Sequence, residues 1–134
     1  PYTASVQWSR RFVGLRLFLS LAAGGWAAYA AHTERAVALI ERLKMRLIEL
    51  GWTTINSSPL AVLCLEPPAG SAPIEAIVRD ILKSGRAWVS VAETEGRKVL
   101  RACVTHGRTG PSDIDALAAL LVEASRLADD PASR

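Results

Sequence analysis

The sequence predicts an α+β fold, in which helices pack on one face of a small, mainly antiparallel sheet of about four strands. Segments with helical periodicity are separated by four short apolar runs, and these runs come in two adjacent pairs. Neighbouring strands with no helix between them pair antiparallel, which is the basis of this prediction. The 134 residues are 50% hydrophobic and 22% charged, a balance typical of one globular domain rather than of a disordered chain.

A long two-part helix is predicted before the sheet. Residues 9–23 are apolar on nearly all sides, which indicates burial against more than one neighbour. Gly24-Gly25 breaks or kinks this helix, and residues 26–50 continue it with a single apolar stripe. A competing interpretation makes residues 12–31 a twin-arginine export signal, but Arg16 interrupts its apolar stretch.

The four apolar runs are the predicted strands. They cover residues 52–55, 60–65, 87–92 and 98–104. A turn at residues 56–59 separates the first pair, and the tetrapeptide Glu93-Thr94-Glu95-Gly96 predicts a hairpin turn in the second. Because run 60–65 does not alternate apolar with polar residues, we expect it at the centre of the sheet.

An amphipathic helix is predicted after each pair of strands. The first has apolar residues at helical spacing from Ile74 to Leu82, and we expect Ser71 to cap it and Gly85 to end it. Pro73 suits its first turn. The closing helix is predicted to start at the capping-box-like Ser112-Asp113-Ile114-Asp115 and to leave a polar tail.

Charge and cysteine content exclude several functional classes. The net charge of +3 is spread among acidic neighbours, and the apolar stretch near the N-terminus is weak for a membrane span, so we expect no nucleic-acid or membrane partner. Cys64 and Cys103 lie in apolar runs without CxxC spacing, which predicts buried free thiols in a reducing compartment and therefore a cytoplasmic protein. The sequence has no HExxH, Walker, GxGxxG or GxSxG motif, so no catalytic residue and no metal site are predicted.

Four residues are candidates for the edge of a site or for a domain interface: Arg10, Arg11, Arg101 and His106. Arg101 lies inside an apolar run, where a buried guanidinium needs a partner. That partner is either a carboxylate in an ion pair between elements or the carboxylate or phosphate of a ligand. His106 precedes Gly107 and Arg108 in a loop, which suits either anion binding or an ordinary turn.

An ordered series of segments resembles the pyridoxal-phosphate-dependent group II amino-acid decarboxylases, a family that includes the aromatic-L-amino-acid, tyrosine, histidine and glutamate decarboxylases. Residues 8–18 with Gly24-Gly25 are similar to the family's "RRF-x-x-LK-x-W" helix, with Arg16 in place of the usual Lys. Residues 59–65 are similar to its strand "LGLVCFR". Residues 96–101 resemble its "G-x-x-x-LR" strand, and residues 105–115 resemble its "R-T-x-x-DI" segment before the last helix. Within the family, the resemblance leads us to expect relatives in the bacterial, aromatic-decarboxylase-like branch.

The resemblance implies the small domain of a fold-type-I enzyme, a homodimer whose subunits each have a large cofactor domain and a small C-terminal domain. Residues 1–25 would then be a connecting segment and helix from the large domain, residues 26–128 the small domain, and residues 129–134 a tail. Pyridoxal 5'-phosphate would be held by a Schiff-base lysine that follows a histidine. Neither His32 nor His106 precedes a lysine, so that lysine is expected upstream, and this fragment should neither bind the cofactor nor decarboxylate an amino acid.

Two classes of function follow. In the first, the domain closes the active site of a full-length decarboxylase and supports the dimer, with Arg10, Arg11 and Arg101 at the cleft or at the junction with the large domain. In the second, the chain is a stand-alone α+β module that uses the open face of its sheet for a small ligand or for dimerisation, without catalysis. The first predicts a large exposed apolar surface over residues 12–31, and the second predicts none.

Overall fold

The computed structural model describes residues 13–126, and its architecture confirms the α+β fold class. The elements in chain order are α1 Val13–Glu49, β1 Thr53–Thr54, β2 Val62–Glu66, α2 Ile74–Ser84, β3 Ser90–Thr94, β4 Arg97–Cys103 and α3 Pro111–Arg126. The chain divides into two compact units after His32. The domain boundary predicted at residue 25 stays a prediction.

Helix α1 has the two-part form that the glycine pair predicts. Gly25 interrupts the helical backbone with φ 66° and ψ 179°, a conformation that residues with a Cβ rarely adopt. In the first unit, large apolar side chains of α1 are exposed, among them Phe18 at 66% and Trp26 at 78%. The predicted burial of residues 9–23 against several neighbours is therefore not met within the part that the structure describes. Among residues 13–126, no helix is both long and apolar enough to cross a membrane.

The sheet is fully antiparallel, in the order β1-β2-β4-β3. Strand β2 is central as predicted, although its burial does alternate, since Leu63 and Leu65 are buried and Cys64 between them is only partly so. Strand β1 is shorter than predicted: the backbone N–H of Trp52 donates to the carbonyl of Leu47 at 2.9 Å, whereas that of Ile55 still donates to the carbonyl of Cys64 at 2.9 Å. Asn56 then continues the contact with β2 through its side chain. Its Oδ1 accepts from the backbone N–H of Cys64 at 2.7 Å, and its Nδ2 donates to the carbonyl of Val62 at 3.1 Å.

The hairpin of β3 and β4 has a tighter turn than predicted. Glu93 and Thr94 belong to the ladder, opposite Lys98 and Arg97, which leaves two residues for the turn. These are Glu95 at φ 52° and Gly96 at φ 72°. Positive φ at both positions is the signature of the two-residue turn that matches strand twist.

Two predicted helix caps are wrong in detail. Ser71 makes no cap to α2, whose N-cap position is Pro73 without a side-chain hydrogen bond, whereas Gly85 ends this helix as predicted, at φ 66°. At α3 the capping bond is present but lies two residues earlier than predicted. The carboxylate of Asp113 accepts from the backbone N–H of Gly110 at 2.8 Å, so the helix begins at Pro111 instead of after Ser112.

The core lies on one side of the sheet, which confirms that the helices pack on one face. Its fully buried side chains come from every helix, from the two central strands and from the segment before β3: Leu43 and Leu47 of α1, Leu65 of β2, Leu100 of β4, Ile77 and Ile81 of α2, Ile114 and Leu121 of α3, and Val89. Leu65 and Leu100 face each other in the ladder, so they lie on the same side of the sheet. The opposite side is left without a helix within the second unit.

Candidate functional site: the open face of the sheet

The open face of the sheet, on the side opposite to the core, brings together residues of the three longer strands. Cys64 stands opposite Arg101, Val62 stands opposite Cys103, and Ser90 stands opposite Arg101 on the other side of β4. Partners in an antiparallel ladder point to the same side, so these five side chains share one surface. Cys103 and Arg101 are exposed, and the others are half-buried.

Arg101 is at the centre of this face and is not buried. Its Nε donates to the hydroxyl of Ser90 at 3.2 Å, and no carboxylate pairs with it among the described residues. Successive side chains of a strand point to opposite faces of the sheet. Leu100 and Ala102 enter the core, so Arg101 between them points away from it. The prediction that Arg101 needs a partner because it is buried is therefore wrong, and its guanidinium retains free hydrogen-bond donors.

The two thiols differ in exposure. Both cysteines are free, as predicted, but Cys103 is exposed and Cys64 is half-buried. The expectation that both are buried is wrong for Cys103, because Ala102 and Val104 beside it occupy the inward positions of the strand. Burial raises the pKa of the Cys64 thiol, against an opposing effect of the positive charge on Arg101.

Two large exposed apolar residues that each precede a strand of this face by two positions were missed by the sequence analysis. Trp88 is 69% exposed and Leu60 is 61% exposed. Trp88 precedes β3, and Val89, between Trp88 and Ser90, belongs to the core. Successive side chains of an extended segment point to opposite faces, so if Val89 enters the core, its neighbour Trp88 is assigned to the open face. This alternation can be read from the sequence.

One end of the open face is charged. Arg97 binds Glu66 at 3.2 Å and Glu95 at 3.6 Å. Val99, between Arg97 and Arg101 along β4, is fully buried although no helix of the second unit covers this side.

His106 occupies the turn between β4 and α3. Its Nδ1 accepts from the backbone N–H of Arg108 at 3.3 Å, and its carbonyl accepts from the N–H of Thr109 at 3.1 Å. The side chain is exposed and lies outside the open face, so the structure does not bring His106 and Arg101 together into one site. The other two candidates, Arg10 and Arg11, lie outside the described residues.

The described residues do not fit a pyridoxal-phosphate site. Such a site needs a lysine able to form a Schiff base in a cavity. Here Lys44 binds Glu41 at 3.1 Å, Lys98 binds Glu75 at 2.5 Å, and Lys83 is exposed in the last turn of α2. Within residues 13–126, no three metal-ligating side chains stand close enough to hold a metal ion.

Comparison with known proteins gives matches among solved structures only. No protein-family model and no curated protein sequence matches the chain. The structure of Oryza sativa TDC with PLP matches 92% of this chain with a TM-score of 0.78 and 21% identity. Mouse CSAD matches 90% of this chain with a TM-score of 0.77 and 19% identity. Catharanthus roseus tryptophan decarboxylase in complex with L-tryptophan matches 87% of this chain with a TM-score of 0.76 and 17% identity.

These matches define the kind of fold. The chain has a fold found within solved pyridoxal-phosphate-dependent decarboxylases, which agrees with the resemblance seen in the sequence. It spans between 27% and 29% of the length of the three matched chains. At 17–21% identity, the likeness establishes the shared fold.

Proposed function

We propose that the chain is the small, C-terminal domain of a pyridoxal-phosphate-dependent amino-acid decarboxylase, where it closes the active site and supports a homodimer. The strongest support is the structural match to Oryza sativa TDC with PLP, which covers 92% of the length of this chain but only 28% of the length of the matched chain. In this proposal the cofactor supplies the electron sink for loss of carbon dioxide and is held outside the described residues. The fragment alone is inactive.

The role that we propose for the open face is to dock on the large domain of the same protein. The face has an exposed arginine, and the exposed Trp88 and Leu60 precede two of its strands by two positions; arginine and tryptophan are enriched at the centres of protein interfaces. Covering Arg101 removes its guanidinium from water, which is costly unless a charged acceptor replaces the solvent. We therefore expect the large domain to present a carboxylate opposite Arg101.

The substrate is an amino acid, and we propose no particular side chain. The matched structures include a complex with L-tryptophan and an L-2,4-diaminobutyrate decarboxylase, so the same fold occurs with aromatic and with aliphatic substrates. The free thiols support a reducing, cytoplasmic location for the complete protein.

The test is the gene that encodes this chain. We expect the reading frame to continue upstream for hundreds of residues and to encode a His-Lys dipeptide. The purified complete protein should then release carbon dioxide from an amino acid when pyridoxal phosphate is added, and replacing that lysine should abolish the release. A reading frame that starts near Pro1 would contradict the proposal and favour the stand-alone module.

A further inference from the structure

A cleft of about 750 Å³ lies on the helical side of the molecule, between α1 and the loop that joins β4 to α3. Its lining combines apolar side chains with three guanidinium groups: Ala38, Leu39 and Pro111 with Arg35, Arg42 and Arg108. Ligand sites in proteins are mostly apolar concavities with a few convergent polar groups, and this cleft has that composition.

The charges around the cleft do not cancel. Arg42 is neutralised by Asp115, which it contacts at 3.1 Å through Nε and at 2.7 Å through Nη2. Arg35 instead donates to the backbone carbonyl of Gly107, which carries no net charge. Arg108 has no carboxylate partner in the part of the chain that the structure describes. Two arginines of the lining, Arg35 and Arg108, thus have no carboxylate partner among the described residues, and the Asp113 carboxylate beside the cleft is bound to the backbone N–H of Gly110.

Hydrogen bonds hold the loop side of the cleft and one of its arginines. The bond from Arg35 to Gly107 holds one guanidinium against the loop and leaves its other N–H groups free, since the fork has five donors. The loop is held in turn by the bond from Thr109 to His106, at 3.1 Å, and by the bond from Gly110 to Asp113. Arg35 is therefore already held beside the loop, whereas Arg108 is exposed and loses side-chain freedom when it binds an anion.

We propose that this cleft binds a small organic acid. The carboxylate contacts Arg35 and Arg108, and the apolar body of the acid lies against Ala38 and Pro111. Pairing with planar guanidinium groups suits a carboxylate, and the apolar part of the lining distinguishes an organic acid from an inorganic anion. The cleft lies on the opposite side of the sheet from the open face, so this proposal does not depend on the proposed function.

Nuclear magnetic resonance titration of the 134-residue chain tests the proposal, with benzoate as the probe. We expect saturable shifts of the backbone amides of Gly107, Thr109 and Gly110. Benzyl alcohol, which has the same ring without the charge, should bind at least about tenfold more weakly, because it makes no charge-assisted hydrogen bond with the arginines. Acetate and inorganic phosphate, which lack the apolar body, should also bind more weakly.

Arginine variants decide whether the cleft is responsible. Arg108→Gln should weaken benzoate binding about tenfold, because it removes one charged contact to the carboxylate. It should not alter the fold, because the Arg108 side chain makes no hydrogen bond among residues 13–126. Arg35→Gln should also weaken benzoate binding, and it should make the loop more mobile because it removes the hydrogen bond to the carbonyl of Gly107. Arg79→Gln is the control, since Arg79 is an exposed arginine of α2 that is paired with Asp80. Equal binding of benzoate and benzyl alcohol, equal binding of phosphate, or unchanged affinity in Arg108→Gln would each overturn the proposal.

Discussion

Asp115 of α3 connects two helices through charge. It accepts two hydrogen bonds from Arg42 of α1, and the Nε of Arg46 lies 3.7 Å from its Oδ1. The hydrogen bond from Arg42 is the largest cause that lowers the pKa of Asp115 below its ordinary value of 3.8. The carboxylate is at the surface, so solvent screens this contribution to stability.

The lowered pKa predicts how an Asp115→Asn variant responds to pH. A carboxylate with a lower pKa in the folded state adds stability at pH values above 3.8, and that stability is lost as the pH falls through its folded-state pKa. Asp115→Asn should therefore be less stable than the wild type at pH 7, with the difference shrinking towards zero in strong acid. Urea unfolding at a series of pH values measures this, and a difference that does not change with pH would contradict the pairing. Asp80→Asn, on a different helix, is the matched control.

At the scale of the elements, glycine and period-two patterns predicted most of what the structure contains. The kink at Gly25, the end of α2 at Gly85 and the hairpin all follow from local backbone constraints that the sequence displays. The end of β1 and the start of α3 both lie beside side-chain hydrogen bonds. The bonds of Asn56 to β2 and of Asp113 to Gly110 depend on competition between several nearby donors and acceptors, which spacing alone does not settle.

The two-residue turn of the β3–β4 hairpin gives an element-scale prediction. A Cβ at Gly96 would meet no atom within 4 Å, so the cost of Gly96→Ala comes from its φ of 72° alone. We expect Gly96→Ala to lower the free energy of unfolding by about 1 kcal/mol, and Gly96→Asn to cost less, because asparagine tolerates this conformation. Urea denaturation distinguishes the two variants. Equal stability of wild type and Gly96→Ala would show that this turn is not formed.

The candidate site shows what the sequence could and could not provide. Strand parity places Arg101, Cys103 and Trp88 on one face, and the order of the apolar runs predicted the sheet. Which face the helices cover is decided by the packing of three helices at once, so the exposure of Cys103 was not predicted from its apolar neighbours. The cleft beside Arg35 joins segments more than seventy residues apart and has no local signature.

At the scale of the whole molecule, the two units of the chain differ in how they bury apolar side chains. The second has a continuous core, whereas the first exposes Leu17, Phe18 and Trp26 at 55% or more. We expect the isolated chain to bind a fluorescent dye specific for apolar surface, or to self-associate, because exposed patches of this kind favour association. A Phe18→Ser/Trp26→Ser double variant should reduce both effects. A monodisperse chain that binds no dye would favour the stand-alone module.

Reactivity of the Cys103 thiol tests the central claim, that this chain is one domain of a larger protein and docks by its open face. In the isolated chain with Cys64→Ala, we predict rapid labelling of the exposed Cys103 by a maleimide. In the complete protein, mass spectrometry should find Cys103 protected, while a cysteine introduced by Arg79→Cys on α2 stays reactive in both forms. Labelling of Cys103 at the same rate in the isolated chain and in the complete protein would contradict the account.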